Sequence, residues 1–477
     1  MIRKGLNGGS FKPLSDEDIS RIDETVLHII EEIGCEVHSE TARDALKKVG
    51  ASVDKTRVRL PKTLARELIG KAPSEIVLCG GDEKNDIHLG GKRVYTGTGG
   101  TALYIYEVDT ATRRQATLDD LKNIARLVDK LDNIHLFLLP TYPNDLPLEQ
   151  VDVNRFFAGL NNTSKHIMGG VFTVEGMREV IHMAETAAGS REAHLKRPRI
   201  SIITCSVSPF IIDGKYGDMV VEIAKSGTPL VCPAEPLCGS TSPVTLAGNV
   251  VVQTVDSLMG VILAQAVNLG TPVIFGSVSS STDLRDLKYI AGSVEMGLLN
   301  AGGAQMAQFY GLPFYATGGM TDSKMLDSQS GYESAITSLL CALAGANFIH
   351  DAAGLMEFAL TVAYEKYVID NEILGMVMRA VEGIRVDDET LAYDLIKQVG
   401  PGGNFVSTKH TRRFMRKEHY QPLLSDRDNR EDWESRGKKA TWQHAAEKVR
   451  DILAGHTSVL PAETRSRILA EIKGIVV

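Results

Sequence analysis

The run Arg199-Ile200-Ser201-Ile202-Ile203-Thr204-Cys205, a helical stretch over 215–226, and the run Pro229-Leu230-Val231-Cys232-Pro233 together decide the fold. Both runs are short, rich in β-branched residues and apolar with little alternation, so they read as strands buried on both faces. Strand, helix and strand in so few residues form one parallel βα unit. The same rhythm continues upstream through Val94–Thr98, Ile134–Leu139 and His166–Gly170, and downstream through Pro272–Ser277, Pro313–Thr317 and Ala346–Asp351. Helical stretches separate them at 118–131, 148–162, 174–187, 248–269, 290–311 and 329–345, with another from about 358. Eight such units over about 285 residues predict an α/β chain closed as a (β/α)₈ TIM barrel rather than an open doubly wound sheet.

The flanks read differently. Residues 1–90 form a helical N-terminal extension, 91–385 the barrel, and 386–477 a helical C-terminal extension with a polar arm at 404–439. In the first, Ser15 caps a helix with Asp18 three positions on; Ile19, Ile22, Val26, Ile29 and Ile33 follow at helical spacing, and Gly34 ends it. Two more helices are expected over 39–50 and from Pro61, and four after the barrel, at 387–399, 409–419, 439–454 and 461–473.

A formal charge of −8 argues against a nucleic-acid partner, which needs a basic face. No apolar stretch behind Met1-Ile2-Arg3 reads as a signal peptide. The longest apolar runs contain Gln265 and Asn268, or Ser338 and Asn347, and read as buried helices rather than membrane spans. Six cysteines lack framework spacing, which fits a reduced, cytoplasmic chain. Barrels of this size often self-associate, so a homo-oligomer is expected.

Barrel chemistry sits just after the strands. Those segments here are rich in glycine, small hydroxyls and aromatics and poor in charge, and none carries a lysine at its strand end, which disfavours a Schiff-base aldolase. Gly97-Thr98-Gly99-Gly100-Thr101-Ala102 matches a dinucleotide fingerprint formally. The next residues, Leu103 to Val108, alternate like a strand where the fingerprint requires a helix. Cys232 and Cys238 lack third and fourth ligands for zinc. His350, at the top of the last strand, can bind an anionic substrate group or serve as a structural histidine. Asp351 points to the opposite side if the strand persists. Glu235 and Glu357 read equally as ligand contacts or helix-start caps. Tyr95, Tyr104, Tyr106, Tyr142, Phe210, Tyr332 and Phe358 lie on or beyond the mouth segments. At least half belong to the core by base rate, but aromatic faces with few fixed charges also suit a quaternary ammonium ion, which has no N–H to donate.

The stretch Tyr315-Ala316-Thr317-Gly318-Gly319-Met320-Thr321-Asp322-Ser323-Lys324, then Asp327 to Glu333, Leu343 to Asn347 and Val368 to Ile373, resembles the trimethylamine methyltransferase family along most of the chain. Members acting on trimethylamine carry pyrrolysine in the barrel. This chain uses the standard twenty residues, so it resembles the branch without pyrrolysine, most closely members that act on glycine betaine. The resemblance implies transfer of a methyl group from a quaternary amine to the Co(I) of a corrinoid (cobalamin) carried by a separate corrinoid protein. Nothing in the chain matches the short D-x-H-x-x-G motif that ligates cobalt.

Such a displacement releases a neutral amine and needs no general acid, so orientation and exclusion of water are the enzyme's tasks. On this reading no residue is catalytic. His350, Glu235 and the backbone at Gly318 and its glycine-rich neighbours line the substrate site, with Phe210, Phe358 and one or both of Tyr95 and Tyr142 facing the trimethylammonium end. The arm residues Lys409, Arg412, Arg413, Arg416 and Lys417 read either as a docking patch or, more commonly for such runs, as solvated surface. Competing readings are the same reaction on proline betaine, carnitine, γ-butyrobetaine or choline, a non-catalytic quaternary-amine binder, and a lyase or hydrolase pairing His350 with Glu235 or Glu357.

Overall fold

The computed structural model describes residues 4–455 and 458–477. Eight parallel strands, β1 (Arg93–Thr98), β2 (Leu136–Leu138), β3 (His166–Gly170), β4 (Ile200–Ile203), β5 (Leu230–Ala234), β6 (Val273–Ser277), β7 (Phe314–Thr317) and β8 (Phe348–Ala353), pair in chain order. Pairing of β8 with β1 closes the barrel. The helices following each strand are α1 (Leu118–Asp129), α2 (Leu148–Asn162), α3 (Val174–Ala188), α4 (Gly214–Ser226), α5 (Leu246–Val267), α6 (Val294–Tyr310), α7 (Ser328–Ala344) and α8 (Tyr364–Glu382). Local chemistry sets their ends: Asp327 accepts from the Ser330 N–H to start α7, and Gly345, at φ 83°, lets the chain turn off it.

Residues of one parity along the strands fill the lumen. Tyr95, Leu136, Leu138, Met168, Val231, Ile274, Tyr315 and Phe348 pack together there with Ile76, Leu78, Ile87 and Leu89. The latter four come from a hairpin, Ile76–Leu78 against Ile87–Leu89, whose side chains join this lumen cluster and close the end away from the strands' carboxyl termini. The lumen is therefore filled from below.

The first ninety residues carry the three expected helices, Asp16–His28, Glu40–Lys48 and Lys62–Ile69. Ser15 and Asp18 form the expected capping box. They also carry strands that helical spacing does not reveal: besides the plug hairpin, Cys35–Val37, Ser52–Asp54 and Arg57–Arg59 form a small sheet that continues onto Ile211–Ile212 beyond β4. The three helices pack over α5. This explains why α5, 22 residues long, is apolar on nearly every side: it is covered by the barrel within and these helices without.

After α8, Thr441–Ala454 packs on α8 and α1, and Ala462–Glu471 packs on α3. The polar arm is tied to α8 through Glu372, which accepts from the Leu423 N–H (2.8 Å), the Ser425 N–H (3.2 Å) and the Ser425 hydroxyl (3.0 Å).

Candidate active site

The strand alternation that fills the floor continues upward into the mouth. On β4 it runs Ser201, Ile203, Cys205; on β5 Val231, Pro233, Glu235; on β7 Tyr315, Thr317; on β8 Phe348, His350. Above the floor the wall thins, because a Cβ at Gly170 would meet nothing nearer than the Ile203 carbonyl oxygen at 3.9 Å.

His350 is 3% exposed and stacks on the Tyr315 ring at 3.8 Å between centroids, 17° from parallel. Its Nε2 contacts the Thr317 hydroxyl, which itself donates to the Ser277 carbonyl at 3.0 Å. Thr317 thus has no proton left for the ring, so Nε2 carries the hydrogen and donates it. Nδ1 is left facing Asp351 Oδ1 at 2.9 Å, without hydrogen-bond alignment.

The expectation that Asp351 faces away is overturned. β8 bulges there, shifting register against β1 between Ile349 and Ala353: Asp351 adopts φ 59°, which swings its carboxylate to accept from the Gly100 N–H (3.2 Å) and to lie beside His350. The glycines of the false dinucleotide motif serve this packing. A Cβ on Gly99 would lie 2.1 Å from Asp351 Oδ1, and one on Gly97 would strike the Phe348 ring at 2.5 Å. A strand, Tyr104–Glu107, follows them rather than a helix.

Glu235, one residue beyond β5, is accessible to solvent yet surrounded by protein in the mouth. Desolvation, with Asp351 adding like charge, pushes its carboxyl up to about 7. Among the described residues it makes no hydrogen bond or ion pair. Burial, then the charges of Glu235 and Asp351, raises the hydroxyl of Tyr289, on the rim hairpin (Ser280–Asp283 against Lys288–Ile290), far above its usual range. Burial and Glu235 push the Cys205 thiol up to about 12, so it is no thiolate nucleophile. The mouth is therefore more acidic than the sequence reading held. Among the described residues, buried polar atoms without a hydrogen-bond partner include Thr141 Oγ1, Ser206 Oγ and Ser279 Oγ on the segments that follow β2, β4 and β6, Thr282 Oγ1 of the rim hairpin, and His350 Nδ1 of β8.

One wall is built by a residue the sequence reading missed. Arg155, on α2 and 1% exposed, donates to the carbonyls of Thr141 (3.1 Å), Leu139 (3.0 Å) and Gly170 (3.3 Å) and to the Thr101 hydroxyl (2.8 Å). It ties the ends of β1, β2 and β3 together and lies over the Phe172 ring, which meets Tyr142 edge to face at 5.4 Å. Tyr142 is thus part of a wall aromatic pair.

The other expected ligands disperse. Tyr95 is withdrawn: it is 1% exposed, and its hydroxyl accepts from the Gly5 (3.0 Å) and His88 (3.2 Å) N–H groups at the plugged end of the barrel. Its strand position, three residues below the end of β1, points it into the floor. Phe210, at φ 62°, lines a groove of about 550 Å³ with Thr25, Ile29 and Val251, on the side of the N-terminal helices. Phe358 does meet a cation, but the chain's own: Lys324 Nζ sits 4.4 Å over its ring. Glu357 is held by Arg113 at 2.7 Å. Gly318 is closely packed, its missing Cβ 3.1 Å from Cys341 Sγ, and its N–H donates to the His350 carbonyl (3.2 Å). Sequence distance hid Arg155 and Tyr289, one on a helix and the other on a rim hairpin.

A closed parallel barrel with this acidic, aromatic mouth defines the class, and known proteins share the architecture. The monomethylamine methyltransferase of Methanosarcina barkeri superposes with a TM-score of 0.51 at 11% identity, covering 94% of this chain and 90% of its own. Trimethylamine methyltransferase MttB of Desulfitobacterium hafniense is 37% identical across 100% of this chain and 96% of its own length. Glycine betaine methyltransferase from another strain of that species is 33% identical across 93% and 92%. The trimethylamine methyltransferase (MTTB) family model matches residues 4–473, and the chain belongs to that family: it is a methyltransferase.

Proposed function

We propose that this methyltransferase removes a methyl group from glycine betaine and transfers it to the Co(I) of a corrinoid held by a partner protein, leaving dimethylglycine. The observation that carries the reading is the acidic mouth: Glu235, unpaired among the described residues, feels the charge of Asp351, which lies against His350, itself stacked on Tyr315. A permanent cation complements such a site by charge and, having no N–H, asks for no hydrogen-bond acceptor. The likeness to a glycine betaine methyltransferase and the absence of any nonstandard residue support a quaternary substrate.

The contacts of His350 with Thr317 and Asp351 reassign the carboxylate end. The unpartnered hydroxyls of Thr141, Ser206, Ser279 and Thr282 are the better donors, since hydroxyls left bare in a buried site are stabilised by an anionic acceptor. Arg155 fixes the strand ends so that this ring of donors holds its shape. The corrinoid is the second substrate. It reaches the methyl group from above, past rim loops that expose Leu103, Val207, Leu284 and Leu287. We assign the protein to a homo-oligomer of the kind common among such barrels.

Isothermal titration of the purified chain with glycine betaine, dimethylglycine and trimethylamine tests the substrate. Saturable heat with betaine and none with dimethylglycine is expected. Binding of trimethylamine in preference to betaine would contradict the reading.

A further inference from the structure

Among the described residues, Glu235 differs from the other acids of the mouth in having no hydrogen-bond or ion-pair partner. Asp351 is engaged by the Gly100 N–H and lies against His350, Asp322 accepts from the Ala291 and Gly292 N–H groups, and Glu357 pairs with Arg113. The titratable groups that share charge effects with Glu235 come from four elements: Asp351 of β8, Tyr315 of β7, Cys205 beyond β4, and Tyr289 of the rim hairpin. The charge effects on Glu235, Tyr289 and Tyr315 come entirely from acidic groups. The basic side chains placed near the mouth are committed elsewhere. Lys324 donates to the Asp322 carbonyl over Phe358, and Arg155 spends its donors on strand ends.

We propose that Glu235 is the counter-ion of the substrate's onium centre, and that binding the cation drives a proton off this carboxyl. The inference rests on the quaternary-amine reading above and goes beyond it by naming the group that recognises the charge. The buried hydroxyls of Thr141, Ser206, Ser279 and Thr282, which have no hydrogen-bond partner among the described residues, are a separate sign that these strand-end segments suit a polar ligand. Without a cation, desolvation of Glu235 and the like charge of Asp351 favour a proton on Glu235, the unpaired one. A fixed positive charge within a few ångströms reverses that balance, so carboxyl and cation stabilise each other only once the proton has gone. A neutral molecule of the same shape gains nothing from the exchange.

The experiment compares ligand pairs that differ in one atom: glycine betaine with 3,3-dimethylbutanoate, and choline with 3,3-dimethylbutan-1-ol, in which carbon replaces the cationic nitrogen. Each is titrated calorimetrically into the full chain and into Glu235→Gln, at pH 7 in two buffers of different ionisation enthalpy. The wild type is expected to prefer the onium member of each pair by roughly 10-fold or more. It should also release a measurable fraction of a proton, because desolvation and the charge of Asp351 push the free carboxyl up to about 7. In Glu235→Gln the preference is expected to shrink to within about 3-fold, and the buffer dependence to vanish. Thermal melting checks that the variant is folded. A folded Glu235→Gln protein that keeps both the preference and the buffer-dependent heat overturns the inference. So does a wild type that binds the isosteres equally well; methyl transfer to Co(I)-cobalamin by the same sample then shows whether the proposed function survives. Failure of the wild type to bind any of the four ligands overturns both.

Discussion

A left-handed backbone at Asp351, φ 59°, brings its carboxylate to Gly100 and His350, and thereby gives the mouth its charge. No alternation rule foresees this, because a non-glycine residue with positive φ follows from what surrounds it rather than from its own preference. Tyr95 shows the opposite case. Its alternation is legible and its height in the barrel is not, so an aromatic near a strand end reads as a ligand although its hydroxyl belongs to the floor. Replacing it with phenylalanine should cost about 1–3 kcal/mol, since the Gly5 and His88 N–H groups lose their acceptor. Methyl transfer by the folded variant should be unchanged. Urea unfolding checks the first expectation and single-turnover kinetics the second; a transfer defect in a stable variant would return Tyr95 to the substrate site.

Secondary-structure elements are the most legible level. Each of the eight strands and the helices between them lies within a few residues of its expectation, because β-branched runs and helical spacing are local signals. The short strands of the first ninety residues are not legible, since three-residue segments show no period. The link between α7 and α8 is hidden as well. Lys366 and Asp370, neither with any exposed side-chain surface, form an ion pair inside α8. Lys366 also donates to the Ser334 hydroxyl of α7 (2.9 Å), and Asp370 accepts from the Gly354 N–H beyond β8 (2.8 Å). Ser334 in turn donates to the Gly319 carbonyl at 2.6 Å, so the pair pins the turns that follow β7 and β8. Lys366→Met alone should cost about 3–5 kcal/mol by stranding a buried carboxylate, and Lys366→Met/Asp370→Leu should recover part of that loss. Denaturant midpoints of the two variants decide it; equal destabilisation would mean that packing, not charge, governs the site.

For the whole molecule, the closed barrel with its plugged floor leaves one end for chemistry, which is why the fold can be read from sequence while much of the candidate site cannot. Strand order follows from the chain, whereas which side chains converge on the mouth depends on loops and on helix-borne groups such as Arg155. Global stability should also register Asp256 of α5, whose carboxyl burial pushes up to about 7 despite hydrogen bonds from Ser208 and Phe210. The folded chain keeps a proton there that the unfolded chain gives up near 3.8. Its stabilising contribution is therefore complete below that value and is lost as pH rises through about 7, by about 1.4 kcal/mol per unit. Asp256→Asn should flatten that fall in a pH series of urea midpoints, and an unchanged slope would place the proton elsewhere.

The measurement that bears most directly on the central claim is methyl transfer to Co(I)-cobalamin, followed by the change in its visible spectrum, with glycine betaine and trimethylamine offered separately to the full chain. The account predicts methylcobalamin and dimethylglycine from betaine and no transfer from trimethylamine. Transfer from trimethylamine, or dimethylglycine formed without methylation of cobalt, would contradict it.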